Sequence, residues 1–277
     1  MAMKGGGEAL KVERNKKLLY ASKQIELSIS EINYAYLDRE WNREDFCASF
    51  TRIYFPIEGE AILTVKGEEI RLCPGRIYVI PAGLSFSGFC PERLDKIYVH
   101  LTLTQPDGSD VFRGIDRCIV LDEEAETVKH AERLYRESSI VSLLEFKLLI
   151  YALLVRALRI APLRDPSLKT YSEITRNALD YVKEHLSATL SVDEVSRALF
   201  LPKSTLQRRF RAEVGKPLGR YIDDCLTLRA ETELLDPTLS IGDVSDRLGF
   251  CDQFYFSRKF KKDHGISPRV FRQKYHV

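Results

Sequence analysis

Leu190-Ser-Val-Asp-Glu-Val-Ser-Arg-Ala-Leu199 and Leu239-Ser-Ile-Gly-Asp-Val-Ser-Asp-Arg-Leu248 are two versions of one ten-residue phrase. In each, the serine suits a helix N-cap, because its hydroxyl can accept from an otherwise orphaned backbone N–H. Beyond each phrase come a turn and a second segment whose apolar residues stand four apart: Leu206 and Phe210, then Phe256 and Phe260. That spacing places each pair on one helix face. Gly215 and Gly265 close the segments, as glycine does where the chain leaves a helix left-handed. A short helix, a tight turn and a second helix, present twice, describe a duplicated helix-turn-helix.

Charge follows the same repeat. Residues 1–169 hold 24 Lys/Arg against 25 Asp/Glu, whereas residues 170–277 hold 18 against 15. The surplus is concentrated: Lys203 to Arg220 has six basic residues against Glu213, and Arg258 to Lys274 has seven against Asp263. Two such clusters fit a protein that grips phosphates at two places. Between them Pro217–Leu235 reads as one helix, a rod of about 28 Å at 1.5 Å per residue. A rod of that length can hold two helices about one turn of B-DNA apart, roughly 34 Å.

Upstream the pattern changes to strands. Ile25–Ile32, Phe50–Pro56, Ala61–Val65, Glu69–Leu72, Ile77–Ile80 and Ile97–Leu103 are short, β-branched or aromatic, and separated by glycine turns. This describes an antiparallel sandwich or barrel. Glu123–Glu137 and Ser139–Ile160 then suit two helices. The second carries Leu143, Leu144, Leu148, Leu149, Leu153 and Leu154, more than one face can bury, so a homodimer through Ser139–Ile160 is expected. Two prolines in 161–169 make a linker. The whole is a multidomain α+β chain: a flexible 1–24, a barrel 25–121, a helical dimerisation segment 122–160, the linker, and an all-α double helix-turn-helix over 170–277.

Composition narrows the function classes. With 44% hydrophobic and 30% charged residues in 277, the chain is of ordinary globular type. Charges interrupt its most apolar stretch, Ile140–Ile160, so no membrane span is expected. Met1–Gly7 lacks an apolar signal core, and six scattered cysteines form no Cys-x-x-Cys pair. A cytoplasmic protein with reduced thiols is the expectation.

The run from Ile241 to Arg272 resembles the signature of the AraC family of bacterial transcription regulators. The resemblance rests on Gly249-Phe250, Tyr255-Phe256-Ser257-Arg258, Phe260-Lys261-Lys262 and Gly265-x-Ser267-Pro268, and it covers about 170–277. In the first repeat Phe200-Leu201-Pro202 stands where the family has a small or glycine-containing turn. The resemblance implies that Ser204, Gln207 and Arg208, and in the second unit Gln253, Tyr255, Ser257 and Arg258, face bases in double-stranded DNA. Lys203, Arg209, Lys259, Lys261 and Lys262 are then phosphate contacts, which position without reading. Phe254 is a departure, since phenylalanine cannot hydrogen-bond a base. Family resemblance also implies an activator of a metabolic operon that contacts RNA polymerase.

The segment from Ile57 to Gly83 resembles the cupin-type barrel that often precedes such a DNA-binding half. Cupin enzymes hold metal with a His-x-His pair and further ligands; here only His100 lies among the strands. No metal, cofactor or catalytic residue is therefore expected, and small-molecule sensing, of a sugar or other metabolite, leads. Strand alternation places Tyr98 and His100 on one face and Arg52 with Tyr54 on another, while Trp41 and Phe86 can wall a cavity. The alternatives are a cupin-type enzyme fused to a DNA-binding domain, and a regulator whose first domain only dimerises.

Overall fold

A computed structural model describes residues 15, 18, 19, 22, 25–105, 108–163 and 169–275. The flexible tail expected over 1–24 lies largely outside those residues, as does Pro166 of the linker. The first half contains β1 (Glu26–Asp38), β2 (Asn42–Phe46), β3 (Thr51–Gly59), β4 (Ala61–Val65), β5 (Glu68–Leu72), β6 (Ile77–Ile80), β7 (Phe86–Phe89), β8 (Arg93–Thr104) and β9 (Ile119–Leu121). They form a five-stranded sheet, β1-β8-β3-β6-β9, and a four-stranded one, β2-β7-β4-β5, with antiparallel neighbours throughout. The expected barrel is therefore a cupin-like jelly roll of two sheets rather than a closed ring.

Alternation along β8 explains how the large sheet is covered. Ile97, Val99, Leu101 and Leu103 join the core beneath two helices, α1 (Ala125–Arg136) and α2 (Ile140–Ile160), through Val128, Ala131, Phe146, Ile150 and Leu153. Leu94 and Tyr98 of the same strand face the interior between the sheets, with Tyr54, Leu63, Tyr78 and Phe86. At Gly88 any side chain would collide with the Trp41 ring, 2.3 Å from an added Cβ, so the bare backbone lets Trp41 close the interior.

Helix α2 is capped by Ser139, whose side chain accepts from the Ser142 N–H. The six leucines divide between two faces. Leu153 and Leu154 are buried within the chain and Leu149 is half-buried, whereas Leu143, Leu144 and Leu148 are exposed. Among the exposed residues, Val141, Leu144, Leu148, Tyr151 and Val155 alternate three and four apart, the spacing of a coiled-coil seam. Among the described residues no helix is long and apolar enough to cross a membrane.

The second half is helical: α3 (Glu173–His185), α4 (Val192–Ala198), α5 (Lys203–Val214), α6 (Leu218–Leu235), α7 (Ile241–Arg247), α8 (Gln253–His264) and α9 (Pro268–Tyr275). Ser191 and Ser240 cap α4 and α7 as the repeat predicts. Pro202 is the N-cap of α5 rather than its first helical residue. Helix α6 serves both units. Its Leu218, Tyr221 and Ile222 pack with Leu206 and Phe210, while Leu226, Ala230 and Leu234 pack with Phe256, Phe260 and Phe271. The second unit's core is continuous with the interior of the jelly roll; the first unit's core is a separate cluster.

Candidate DNA-reading face and jelly-roll interior

Burial of Leu206, Phe210 and Val214 turns the opposite side of α5 to solvent. Ser204, Arg208 and Arg211 are exposed there and Gln207 is half-buried, at intervals of three and four that form one stripe. In α8 the Asp252 Oδ1 accepts from the Tyr255 N–H at 2.7 Å, fixing the helix start. Phe256 and Phe260 are buried edge to face, 5.8 Å apart. Phe254, Arg258 and Lys261 are exposed and Ser257 half-buried, giving the equivalent stripe. Gln253 is exposed on the first turn beside that stripe. Tyr255 is exposed but lies off the stripe, its ring 6.0 Å from Phe250.

The expected phosphate contacts divide as well. Lys203 is paired with Asp193 at 2.9 Å and Arg209 with Glu213 at 3.9 Å. Lys259 is half-buried between Asp223 at 3.4 Å and Asp263 at 3.3 Å. It lines a cleft of about 630 Å³ between the two halves, together with Asp110, Arg220 and Lys262. Arg208, Arg258, Lys261 and Lys262 carry no ion pair among the described residues.

Inside the jelly roll the six expected pocket residues converge. Arg52 and Tyr54 of β3 stand opposite His100 and Tyr98 of β8, and Trp41 and Phe86 are buried beside them. The Arg52 guanidinium lies 4.4 Å from the Phe46 ring, 4.6 Å from Phe50 and 5.4 Å from Phe86. All three of its nitrogens are without a hydrogen-bond partner among the described residues. His100 Nδ1 is 2.8 Å from Glu31 Oε2, and Asn33 donates to the Tyr98 hydroxyl at 2.9 Å. Burial raises the Glu31 carboxyl to about 7, against the opposing pull of Tyr98 and Arg52.

Sequence reasoning missed Glu31 and Lys96, because charged residues are ordinarily at the surface. Period-two alternation back from Tyr98 would have found Lys96. Its Nζ lies 3.4 Å from the Tyr54 ring and 5.3 Å from Trp41. Burial first, then the charge of Arg52, pushes its pKa well below the ordinary lysine value.

This interior reaches the DNA-binding half through the segment between β2 and β3. Phe46 meets Tyr275 with ring centroids 4.5 Å apart, the Tyr275 hydroxyl donates to the Cys47 carbonyl, and Lys274 donates to the Asp45 carbonyl at 2.9 Å. Ser49 donates through its N–H at 3.3 Å, and through its hydroxyl, to Glu231 Oε2. Glu231 Oε1 in turn meets His264 Nε2 at 2.8 Å. Burial opposes charging of His264, but the hydrogen bond and charge of Glu231 outweigh it and raise the imidazole above 6.5.

Paired helix-turn-helix units with outward cationic stripes, behind a jelly roll, define a DNA-binding transcription regulator. A family model described as "Helix-turn-helix domain" matches residues 195–274. The chain is 35% identical over 101 residues to the HTH-type transcriptional activator AarP of Providencia stuartii, covering 36% of this chain and 75% of that protein. It is 25% identical over 266 residues to the arabinose operon regulatory protein of Escherichia coli, covering 86% and 83%. The structure of apo ToxT from Vibrio cholerae superposes with a TM-score of 0.52 at 12% identity, over 88% of this chain and 96% of that one, a likeness of fold. The chain belongs to the AraC family of bacterial transcription regulators.

Proposed function

We propose that this regulator reads two successive major grooves through Ser204, Gln207 and Arg208 on α5 and Gln253, Ser257 and Arg258 on α8. Lys261 and Lys262 supply phosphate contacts. One observation carries the reading: Arg208 and Arg258 are exposed at equivalent places, each two residues before a buried phenylalanine, Phe210 or Phe260. Guanidinium suits bidentate contact with guanine O6 and N7. Selection from randomised duplexes by the wild type, Arg208→Ala and Arg258→Ala tests it. Each variant should lose preference at its own base pairs only. Loss at the same bases, or at none, would refute the assignment.

The jelly roll, about 25–121, is the effector domain, and it works by binding rather than catalysis. Arg52 supports an effector with an anionic group, since a guanidinium stays charged and a buried one calls for a counter-charge. The effector acts on the contacts from Asp45–Ser49 to Glu231 and Tyr275, changing how firmly the second unit is held. The helical segment 122–160 dimerises through the Val141–Val155 seam with a second copy. Replacing Leu144 and Leu148, not Leu149 and Leu153, with glutamate should give monomers in sedimentation equilibrium. The regulator works in the cytoplasm, where it meets RNA polymerase at an operon promoter.

A further inference from the structure

The two reading stripes are not chemically alike. Counting from the buried phenylalanines, Ser204 corresponds to Phe254, Gln207 to Ser257, Arg208 to Arg258 and Arg211 to Lys261. Of the four, one is an identity, Arg208 and Arg258, and two exchange one polar or charged residue for another. The fourth sets a large apolar ring where the first unit has a hydroxyl. Phe254 is 75% exposed. Its neighbour Tyr255 is ring-packed on Phe250, whereas Phe254 enters no aromatic pair among the described residues. It stands on the first turn of α8, in line with Ser257, Arg258 and Lys261, so whatever those residues face, the ring faces too. The charges beside it make the surface soluble and attract a polyanion, so an aggregation patch or a second apolar chain fits poorly.

Only one apolar group projects from base edges into the major groove, the C5-methyl of thymine, and phenylalanine is among the side chains that meet it. We propose that Phe254 is a specificity-determining residue that reads a thymine methyl in the second unit's half-site. One half of the operator is then read by hydrogen bonds, and the other partly by apolar contact. This rests on the assignment of α8 as a reading helix.

The full chain is used to select duplexes from a randomised library, and each thymine of the selected site is then replaced in turn by deoxyuridine, which removes the methyl alone. At one thymine in the second unit's half-site the wild type should bind the uracil form about fourfold more weakly, the value of one buried methyl-sized group. Phe254→Ala should bind both forms equally while keeping the first unit's preferences. Phe254→Ser, which restores the residue of the first unit, should lose the methyl dependence and gain a preference for a hydrogen-bonding base edge there. The proposal is overturned if the wild type is indifferent to every methyl, or if Phe254→Ala keeps the same thymine-to-uracil ratio. If no sequence is enriched at all, the reading-helix assignment falls and takes the proposal with it. An enriched site without methyl dependence removes this proposal alone.

Discussion

The two helix-turn-helix units share a design and differ in what they lean on. The first buries Leu206 and Phe210 against α3 and the start of α6, in a cluster of its own. The second buries Phe256 and Phe260 in a cluster that runs into the jelly roll, and Glu231, Lys274 and Tyr275 bind the segment from Asp45 to Ser49. Their turns differ too. Gly249 takes the left-handed conformation at φ 74°, where glycine is free of strain, while the first unit sets Phe200 there at φ 53°, 94% exposed. The two units are attached unequally: the first reaches the jelly-roll half through the Lys183–Glu26 ion pair at 2.5 Å, the second through a shared core, and the second keeps the intact family motif.

Core truncation separates the units most strongly. Phe210→Ala and Phe260→Ala should each cost about 3–5 kcal/mol. Phe260→Ala should also release the jelly roll, exposing the Asp45–Ser49 segment to protease, whereas Phe210→Ala should leave that segment protected. Equal protection in both variants would erase the distinction. Glu231→Ala comes next, at about 1.5–3 kcal/mol for hydrogen bonds to a charged group. Scanning calorimetry should then resolve two transitions in place of a joint one.

Arg208→Ala and Arg258→Ala should each weaken DNA binding by about 1–3 kcal/mol, with preference relaxed at one half-site. Lys261→Ala should instead reduce the salt slope by about one unit, seen in binding titrations across salt. A smaller effect lies in the turns. Phe200→Gly should stabilise by about 1 kcal/mol through relief of left-handed strain, and Gly249→Ala should destabilise by a similar amount. Denaturant midpoints would measure both, and a destabilised Phe200→Gly would show that the ring has a partner.

The smallest expected effect is on pH. His264 has its pKa raised above 6.5 in the fold, so its pair with Glu231 adds stability that is full below 6.5 and fades as pH rises through the raised value. The melting-temperature gap between wild type and His264→Gln should therefore close on going from pH 6 to pH 9. A constant gap would assign His264 to packing on Phe260, whose ring it stacks at 3.8 Å.

Legibility in the sequence tracked how local the cause was. Ala61–Val65 and Ile77–Ile80 were read to the residue, because β-branched runs between glycine turns carry their own signal. Strands β2, β7 and β9 were missed. Asn-Arg-Glu-Asp-Phe is polar, Phe-Ser-Gly-Phe contains the glycine that Trp41 requires, and Ile119–Leu121 is held by pairing with β6. The first and eighth strands run longer than expected because each completes the other's ladder from Glu26 to Asp38. In the jelly-roll interior, alternation placed Arg52, Tyr54, Tyr98 and His100 together, and the repeat placed Arg208 and Arg258 at equivalent exposed positions. Docking of α9 on the jelly roll had no local trace, since it joins Cys47 to Tyr275.

That last contact sets a schedule for the chain's birth. The Tyr275 hydroxyl and the Cys47 carbonyl are 228 positions apart. At 5–20 residues per second the ribosome needs roughly 10–45 s to pass from one to the other. Throughout that interval the nascent jelly roll must fold with Phe46 uncovered, its cover still being translated. Helix α9 thus arrives well after the jelly roll that it seals, so a chain cut before Tyr275 carries its defect back to a domain made earlier.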